Sequence, residues 1–315
     1  MSVVYIRFAA HRLEARHRSP QLERLVARAF ASVRVADWRA DAFRVIAPGE
    51  KTLPPIAAAA ACASSGTLPG AWGFIATPVC FSAGMSTVTM PGDGLVELRP
   101  EEAAALASDF NRTFVDAGMR LSVGRSAILV CVFDRVLQVT THDPEAVAGH
   151  DVFAFQPAGT DAPRLRRLMS EIEMWLFDHA VNRARTADGR RSVTGLWLWG
   201  GGSTGRTMPL VQGWTAGSDP FFSAFGQATR FPREAGPGVV VCIDQPGSDT
   251  WPEVEQQWLT PALAALQSGL IKRLDLSAAE RRFSIGKRAA LRFWRRARPW
   301  WESFDMKGSE MHDIQ

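Results

Sequence analysis

Short apolar runs alternate with segments of helical periodicity along most of the chain. The apolar runs bounded by turn-forming residues predict strands, and these lie at 3–9, 72–81, 86–90, 196–199 and 239–243. Apolar residues that recur every three to four positions predict helices, and these lie at 21–30, 56–63, 99–114, 161–187, 219–226 and 251–267. This alternation predicts an α/β fold with a mixed, mostly parallel sheet flanked by helices.

One pair of apolar runs predicts a local antiparallel element. Residues 128–133 and 136–140 are separated only by Asp134 and Arg135. A connection this short is typical of a β-hairpin, so we expect an antiparallel hairpin element within the α/β fold. The segment 38–45 is ambiguous between helix and strand.

Composition places the chain among globular proteins. Of its 315 residues, 46% are hydrophobic and 22% are charged, which excludes a wholly disordered or collagen-like chain. No stretch approaches the roughly 20 apolar residues that span a bilayer. Residues 1–18 carry arginines and histidines without the apolar core of a secretory signal. We therefore expect a cytoplasmic protein with reduced, buried thiols at its four cysteines, Cys62, Cys80, Cys131 and Cys242.

Positive charge is concentrated near the end of the chain. The net charge is +4, and residues 271–301 alone hold ten basic and two acidic residues. The basic patch interleaves aromatic residues with four arginines, namely Arg292, Arg295, Arg296 and Arg298. Such a segment binds phosphate backbones or anionic membranes, or it forms a surface helix whose aromatic side chains dock on the core. We favour the surface helix, and expect one domain at 1–275 followed by a basic aromatic extension with an acidic tail at 276–315.

A group of hydrogen-bond donors precedes a run of glycines. The donors end a predicted helix, and a buried strand then leads into the glycines. Glycines after a strand let backbone N–H groups approach an anion, at the strand end where α/β proteins bind ligands. The candidate anion-binding residues are His179, Asn182, Arg183, Arg185, Gly200, Gly201 and Gly202. The alternative is a tight structural turn next to a histidine that caps the end of the helix.

The same stretch carries a family resemblance. Residues 178–202, DHAVNRARTADGRRSVTGLWLWGGG, resemble the signature HPVN…R…G…N..WLWG.G of archaeal-type, cofactor-independent phosphoglycerate mutases. Most of the chain is more similar to a proteobacterial set described as phosphoglycerate mutase-like, or as regulator of pathogenicity factors E (RpfE). The segments that resemble this set include GAWGFIATPVCFSAGMSTVTM, LVELRPEEAAALASDFNRTF, LRRLMSEIEMWLFDHAVNRAR and LRFWRRARP. The signature's proline is replaced by Ala180, and its VNS reads VTG at 193–195.

The resemblance implies an alkaline-phosphatase-superfamily-like fold and a phosphoryl transfer that uses two divalent metals and a serine acceptor. It places one metal ligand in an Asp-Gly turn after the first strand, where residues 9–12 hold no acid. It places others after a late strand, where the residual acids Asp244 and Asp249 have no histidine nearby. We therefore expect no metal and no other cofactor. A metal site in the polar loop with His142 and His150 is an alternative that we do not favour.

These observations favour a non-catalytic or degenerate mutase-like protein, a pseudoenzyme with a regulatory or binding role. Its partner would be a protein of unknown identity or a small anionic ligand. The first alternative is a metal-dependent phosphomutase or phosphatase that acts on small phosphorylated metabolites. The second is nucleic-acid or membrane-surface binding through residues 281–301. We rank it last because residues 1–270 hold 25 basic and 26 acidic residues, and one patch is weak support for nucleic acid.

Overall fold

A computed structural model describes residues 3–8, 18–50, 52–62, 70–124, 127–205, 208–217, 219–225, 228–232, 238–243, 251–292 and 294–304. Its strands are β1 (Val3–Phe8), β2 (Ala31–Arg34), β3 (Trp72–Val79), β4 (Ser82–Ala83), β5 (Val88–Met90), β6 (Met119–Val123), β7 (Leu129–Phe133), β8 (His150–Asp151), β9 (Gly195–Ser203), β10 (Trp214–Gly217), β11 (Gly238–Ile243), β12 (Arg273–Ala278) and β13 (Arg281–Gly286). Its helices are α1 (Pro20–Ala27), α2 (Trp38–Ile46), α3 (Ile56–Cys62), α4 (Pro100–Thr113), α5 (Pro144–Val147), α6 (Ala162–Phe177), α7 (Ala180–Ala187), α8 (Trp251–Val254), α9 (Thr260–Ser268) and α10 (Trp300–Ser303). A π-helical segment, Glu255–Leu259, joins α8 to α9.

The chain forms two compact units. Unit 1 comprises Met1–Leu53 and Pro209–Gln315, and unit 2 comprises Pro54–Met208. Each unit has its own cluster of buried apolar side chains. The predicted domain boundary between residues 275 and 276 falls inside β12. The two units are divided in the sequence after Leu53 and after Met208.

Unit 1 contains a six-stranded sheet in the order β10-β11-β1-β12-β13-β2. The first four strands are parallel, and β13 and β2 are antiparallel to their neighbours. β11 is buried along its whole length and β1 along nearly all of it, because α1 and α9 cover one face and α2 contacts the other. Two-sided burial is typical of parallel strands. The sheet confirms the prediction of a mixed, mostly parallel sheet flanked by helices.

The strands β12 and β13 form a hairpin that the sequence pattern did not predict. Leu274 and Leu276 on β12 lie beside Phe283 and Ile285 on β13, and all four are buried. Both strands also carry arginines, and for this reason the sequence analysis assigned the stretch to a basic extension. Residues 281–286 instead lie between β12 and β2 in the sheet.

Unit 2 contains a four-stranded antiparallel sheet, β6-β7-β3-β9, and a small sheet, β4-β5-β8. The predicted hairpin between 128–133 and 136–140 is wrong. β7 is paired on one side with β6 and on the other with β3, so it offers no free edge to residues 136–140. Within 136–140, Thr140 forms an isolated bridge to Ala158. Among the described residues, antiparallel hairpins are formed by β4–β5, β6–β7 and β12–β13.

Two predicted helices also differ from the structure. The segment 161–187 is split into α6 and α7, because His179 begins a new helix as its N-cap. At 219–226 there is a short 3₁₀ turn, Phe222–Ala224, since the Asp219 carboxylate accepts the backbone N–H groups of Phe221 and Phe222. The ambiguous segment 38–45 lies in α2. Among the described helices, none combines the length and the apolar character needed to cross a bilayer.

Three of the four cysteines can be described, and they are thiols outside disulfides. Cys131 and Cys242 are buried, whereas Cys80 is half-buried. Burial raises the pKa of Cys131 to about 12. The side chain of Cys62 lies outside the described part of the structure.

Candidate functional site

The predicted donor Asn182 joins two backbone segments of unit 2. It is 6% exposed. Its Nδ2 donates to the carbonyl oxygens of Leu176 and Val193, both at 2.7 Å, and its Oδ1 accepts from the Val193 N–H at 2.8 Å. Both amide hydrogens are therefore used within the protein. Asn182 holds the end of α6 against the segment that enters β9.

The predicted donor His179 is the N-cap of α7, and not a cap at the end of a helix. Its Nδ1 accepts a hydrogen bond from the Val181 N–H at 3.2 Å, which places the proton of the neutral ring on Nε2. That Nε2 lies 3.2 Å from Asp109 Oδ2 but is not aligned for a hydrogen bond. Burial lowers the pKa of His179, and it outweighs the opposing effect of the Asp109 charge.

A carboxylate shared between α4 and α7 holds the predicted donor Arg185. Arg185 is 4% exposed and donates to Glu102 Oε2 at 2.8 Å. Arg190 donates to Glu102 Oε1 at 2.7 Å, and the Arg99 backbone N–H donates to the same carboxylate at 2.7 Å. Burial acts to raise the pKa of Glu102, but these donors together lower it. The Arg185 guanidinium is thus part of a structural ion-pair cluster.

The glycines at 200–202 lie within β9 rather than in a turn. Gly200 has a φ of +63°, at an irregularity in the pairing of β9 with β3. A Cβ at Gly201 would lie 2.4 Å from Phe74 Cε1, and one at Gly202 would lie 2.2 Å from Pro55 Cβ. The glycines are therefore required for close packing against neighbouring side chains.

The structure does not bring the seven predicted anion-binding residues together. His179, Asn182 and Arg185 lie near the start of β9, and the glycines lie near its end. Five residue steps along β9, from Gly195 to Gly200, separate the two groups by roughly 16 Å. The remaining donor, Arg183, is exposed and pairs with Asp178 at 2.9 Å.

A second group of polar residues lies in unit 1, at the carboxyl ends of the parallel strands. Arg7 and Arg39, each 5% exposed, place their guanidinium carbons 4.9 and 4.4 Å from the centre of the Trp38 ring. Arg7 donates to the carbonyl of Ala279, just beyond β12, at 2.8 Å. Arg39 pairs with Asp219, two residues beyond β10, at 2.8 Å. We call Arg7, Trp38 and Arg39 the arginine–tryptophan cluster; it occupies the edge where α/β sheets bind ligands.

The predicted residual acids, Asp244 and Asp249, lie outside the described residues, as does the segment 9–17. Within the described residues, no group of three or more His, Cys, Asp or Glu side chains is arranged to hold a metal ion. His142 and His150 each contact the ring of Phe155, with centroids 5.5 and 5.9 Å apart.

The basic patch is only partly a free surface. Arg292 and Arg295 both donate to the backbone carbonyl of Ala29, at 2.7 and 3.1 Å. The aromatic Trp300 is 2% exposed and packs in the core of unit 1, whereas Trp294 is 67% exposed. The expected surface helix is wrong for most of this stretch, because residues 281–286 form β13 and, among the described residues, helix α10 begins only at Trp300. The other two arginines of the patch, Arg296 and Arg298, are exposed.

Unit 2 contains a cavity of about 690 Å³, within the usual range for ligand pockets, roughly 300–1,000 Å³. Its walls include residues from β5, β8, β9 and α6. The lining side chains include Phe81, Thr87, Asp151, Arg166, Glu173 and Trp197.

Sequence reasoning missed both the cluster and the cavity, although each has a weak signal. Arg7 interrupts the apolar run VVYIRF of β1, and a charged residue inside a buried strand needs a partner. Arg166, Ser170 and Glu173 share one face of α6 at helical spacing, next to apolar Met169. A polar helix face is ordinarily read as a solvated surface, which is why the cavity is not evident from sequence.

No family model matches the chain. A stretch of 65 residues is 38% identical to 2,3-bisphosphoglycerate-independent phosphoglycerate mutase 2 of Methanothermobacter thermautotrophicus, covering 20% of this chain and 16% of that protein. The chain thus matches less than a fifth of that relative's length.

Two solved structures are similar over most of the chain. The cofactor-independent phosphoglycerate mutase of Thermoplasma acidophilum is 13% identical, with a TM-score of 0.35 over 90% of this chain and 88% of that one. The PH0037 protein from Pyrococcus horikoshii is 12% identical, with a TM-score of 0.43 over 90% of this chain and 87% of that one. The distant resemblance to archaeal-type mutases is supported by the 65-residue match, and the resemblance to the proteobacterial regulator set stays a prediction.

Proposed function

We propose that this protein is a degenerate phosphoglycerate mutase-like protein that binds a partner or a small anion in a regulatory role and does not transfer phosphoryl groups. The observation that carries the proposal is the arginine–tryptophan cluster at the carboxyl ends of β1, β10 and β12. The resemblance to the mutases implies two divalent cations beside the end of the first strand. This chain instead has two guanidiniums next to that position.

The positive charge of the cluster supports anion binding rather than a dinuclear metal centre. A guanidinium beside a divalent cation is electrostatically unfavourable, although the Asp219 carboxylate offsets the charge of Arg39. The Asp219 carboxylate is hydrogen-bonded to Arg39 and to two backbone N–H groups, so it is already used as an acceptor. The same guanidiniums favour a phosphate or carboxylate that reaches this edge.

The experiment is an assay of the full chain with 3-phosphoglycerate and with a generic phosphate ester, in the presence of Mn²⁺, Zn²⁺ or Mg²⁺. We expect turnover at background in the wild type and in an Asp244→Ala variant, with calorimetry detecting bound 3-phosphoglycerate. Metal-dependent turnover that disappears in Asp244→Ala would overturn the proposal.

The second candidate is a metal-dependent phosphomutase or phosphatase. It is favoured by the 65-residue match to a protein named as a phosphoglycerate mutase. It requires ligands from outside the described residues, with Asp244 and Asp249 as candidates. Elemental analysis distinguishes the two functions: the enzyme would retain about two metal ions per chain, and the binding protein would retain none.

A further inference from the structure

The lining of the cavity in unit 2 includes a carboxylate, that of Glu173, which pairs with no cation among the described residues. Glu173 lies on α6, and its stem lies over β9, where a Cβ at Gly195 would be 3.5 Å from Glu173 Cγ. Within the described part of the chain no hydrogen bond or ion pair reaches the Glu173 carboxylate. The Glu173 side chain is exposed at the edge of the lining, and partial desolvation of its carboxyl group raises the pKa of Glu173.

The nearest arginine of the lining does not neutralise Glu173. Arg166 lies two helical turns earlier on α6 and donates to the Pro157 carbonyl at 2.7 Å. Asp151, on the opposite wall, accepts from the Phe153 N–H at 2.9 Å. Two carboxylates and one guanidinium give the lining a net negative charge.

Aromatic surface lies beside the carboxylate. A Cβ at Gly195 would also lie 2.8 Å from Phe81 Cε2, so Phe81 and Glu173 meet over the same glycine. The Phe81 and Trp197 rings are 6.3 Å apart in an edge-to-face arrangement, and the Trp197 N–H is occupied by the His142 carbonyl at 2.8 Å. These rings therefore offer apolar and π surface rather than hydrogen-bond donors.

We propose that this cavity binds a small organic cation, an ammonium or amidinium group on a flat or apolar body, with Glu173 as the counter-ion and Phe81 and Trp197 as the wall for the body. A cation gains from both a carboxylate and neighbouring aromatic rings. The site lies wholly in unit 2 and does not depend on the proposed function, whose cluster lies in unit 1.

The test uses benzamidinium as the probe, with neutral benzamide and anionic benzoate as isosteres, titrated into the full chain by calorimetry. We expect benzamidinium to bind and the two isosteres to bind at least tenfold more weakly, since the loss of one charge-assisted contact corresponds to roughly 10- to 100-fold. Glu173→Gln should weaken benzamidinium by a similar factor. The control is Glu171→Gln, which removes a surface carboxylate of the same helix that pairs with Arg167 and should leave the affinity unchanged.

A second variant keeps the test informative if Glu173→Gln fails to fold. Arg166→Gln removes the only cation among the described lining residues, so it should strengthen benzamidinium binding and leave benzoate unbound. Absence of benzamidinium binding, equal binding to wild type and Glu173→Gln, or tighter binding of benzoate would each overturn the proposal.

Discussion

Three backbone groups of unit 2 depend on Asn182. The Leu176 carbonyl and the N–H and carbonyl of Val193 all hydrogen-bond to its side chain. A buried donor or acceptor left without a partner costs about 1–3 kcal/mol. The residue thus acts in stability, at a position that the sequence motif suggested for ligand binding.

Replacing Asn182 tests that role. Asn182→Leu should lower the free energy of unfolding by about 3–5 kcal/mol, because three buried backbone groups lose their partner. Urea unfolding followed by circular dichroism measures the change. The control, Arg183→Ala, removes an exposed ion pair and should change stability by less than about 1 kcal/mol. A stable Asn182→Leu variant that loses affinity for 3-phosphoglycerate would instead favour a binding role.

The lowered pKa of His179 predicts a dependence of stability on pH. Between the folded-state pKa and the unfolded value of 6.5, the unfolded chain binds more protons than the folded one, so stability falls as the pH falls through that window. His179→Asn keeps an N-cap acceptor but does not titrate. The wild type should lose stability relative to this variant over the range that begins near pH 6.5 and extends below it. A constant difference over that range would show that the ring is not buried as described.

At the scale of elements, the pattern of apolar residues correctly predicted the strands that are buried on both faces. The runs VVYIRF and GVVVCI become β1 and β11 because both faces of each are covered. The pattern failed where polar side chains decide. Because β13 contains arginines, the sequence pattern did not predict that strand. The histidine N-cap that divides α6 from α7 has no strong sequence signature.

The candidate site shows the same limit. The sequence singled out donors within 179–185 for anion binding, and in the structure Asn182 and Arg185 donate to groups of the protein itself. Whether donors face a ligand or the protein depends on which backbone carbonyls lie near them. The break between α6 and α7 and the course of β9 bring those carbonyls into place. Neither feature can be predicted from the spacing of residues in the sequence.

The glycines of β9 give a prediction at this scale. Gly202→Ala would place a Cβ 2.2 Å from Pro55 Cβ, and overpacking of this kind costs about 1–3 kcal/mol. Gly205→Ala, with nothing within 4 Å of its Cβ, is the matched control and should be neutral within about 0.5 kcal/mol. Thermal unfolding of both variants measures the contrast. Equal stability would mean that the glycines serve something other than packing.

At the scale of the whole molecule, the two units differ in how the chain builds them. Unit 2 comes from one continuous segment, and unit 1 comes from two segments that flank it. All strands of the β6-β7-β3-β9 sheet and their core lie inside the continuous segment. In unit 1, by contrast, β1 from the first segment lies between β11 and β12 from the second.

This division predicts how fragments behave. The fragment 54–208 should fold alone, with a cooperative urea transition and dispersed amide resonances, because a unit with its own core can fold independently. The fragments 1–53 and 209–315 should each remain unfolded, since each lacks strands of the shared sheet. An unfolded 54–208 fragment would show that the core of unit 2 is not sufficient by itself.

The position of β1 has a consequence for biosynthesis. Roughly 235 residues separate Val3 from its partner Gly238. At typical rates of translation, the ribosome needs on the order of 10 to 50 s to make that length. For this time the apolar strand β1 remains without its partner β11 in the nascent chain while the 54–208 segment emerges and can fold, so we expect chaperones to bind β1 during synthesis.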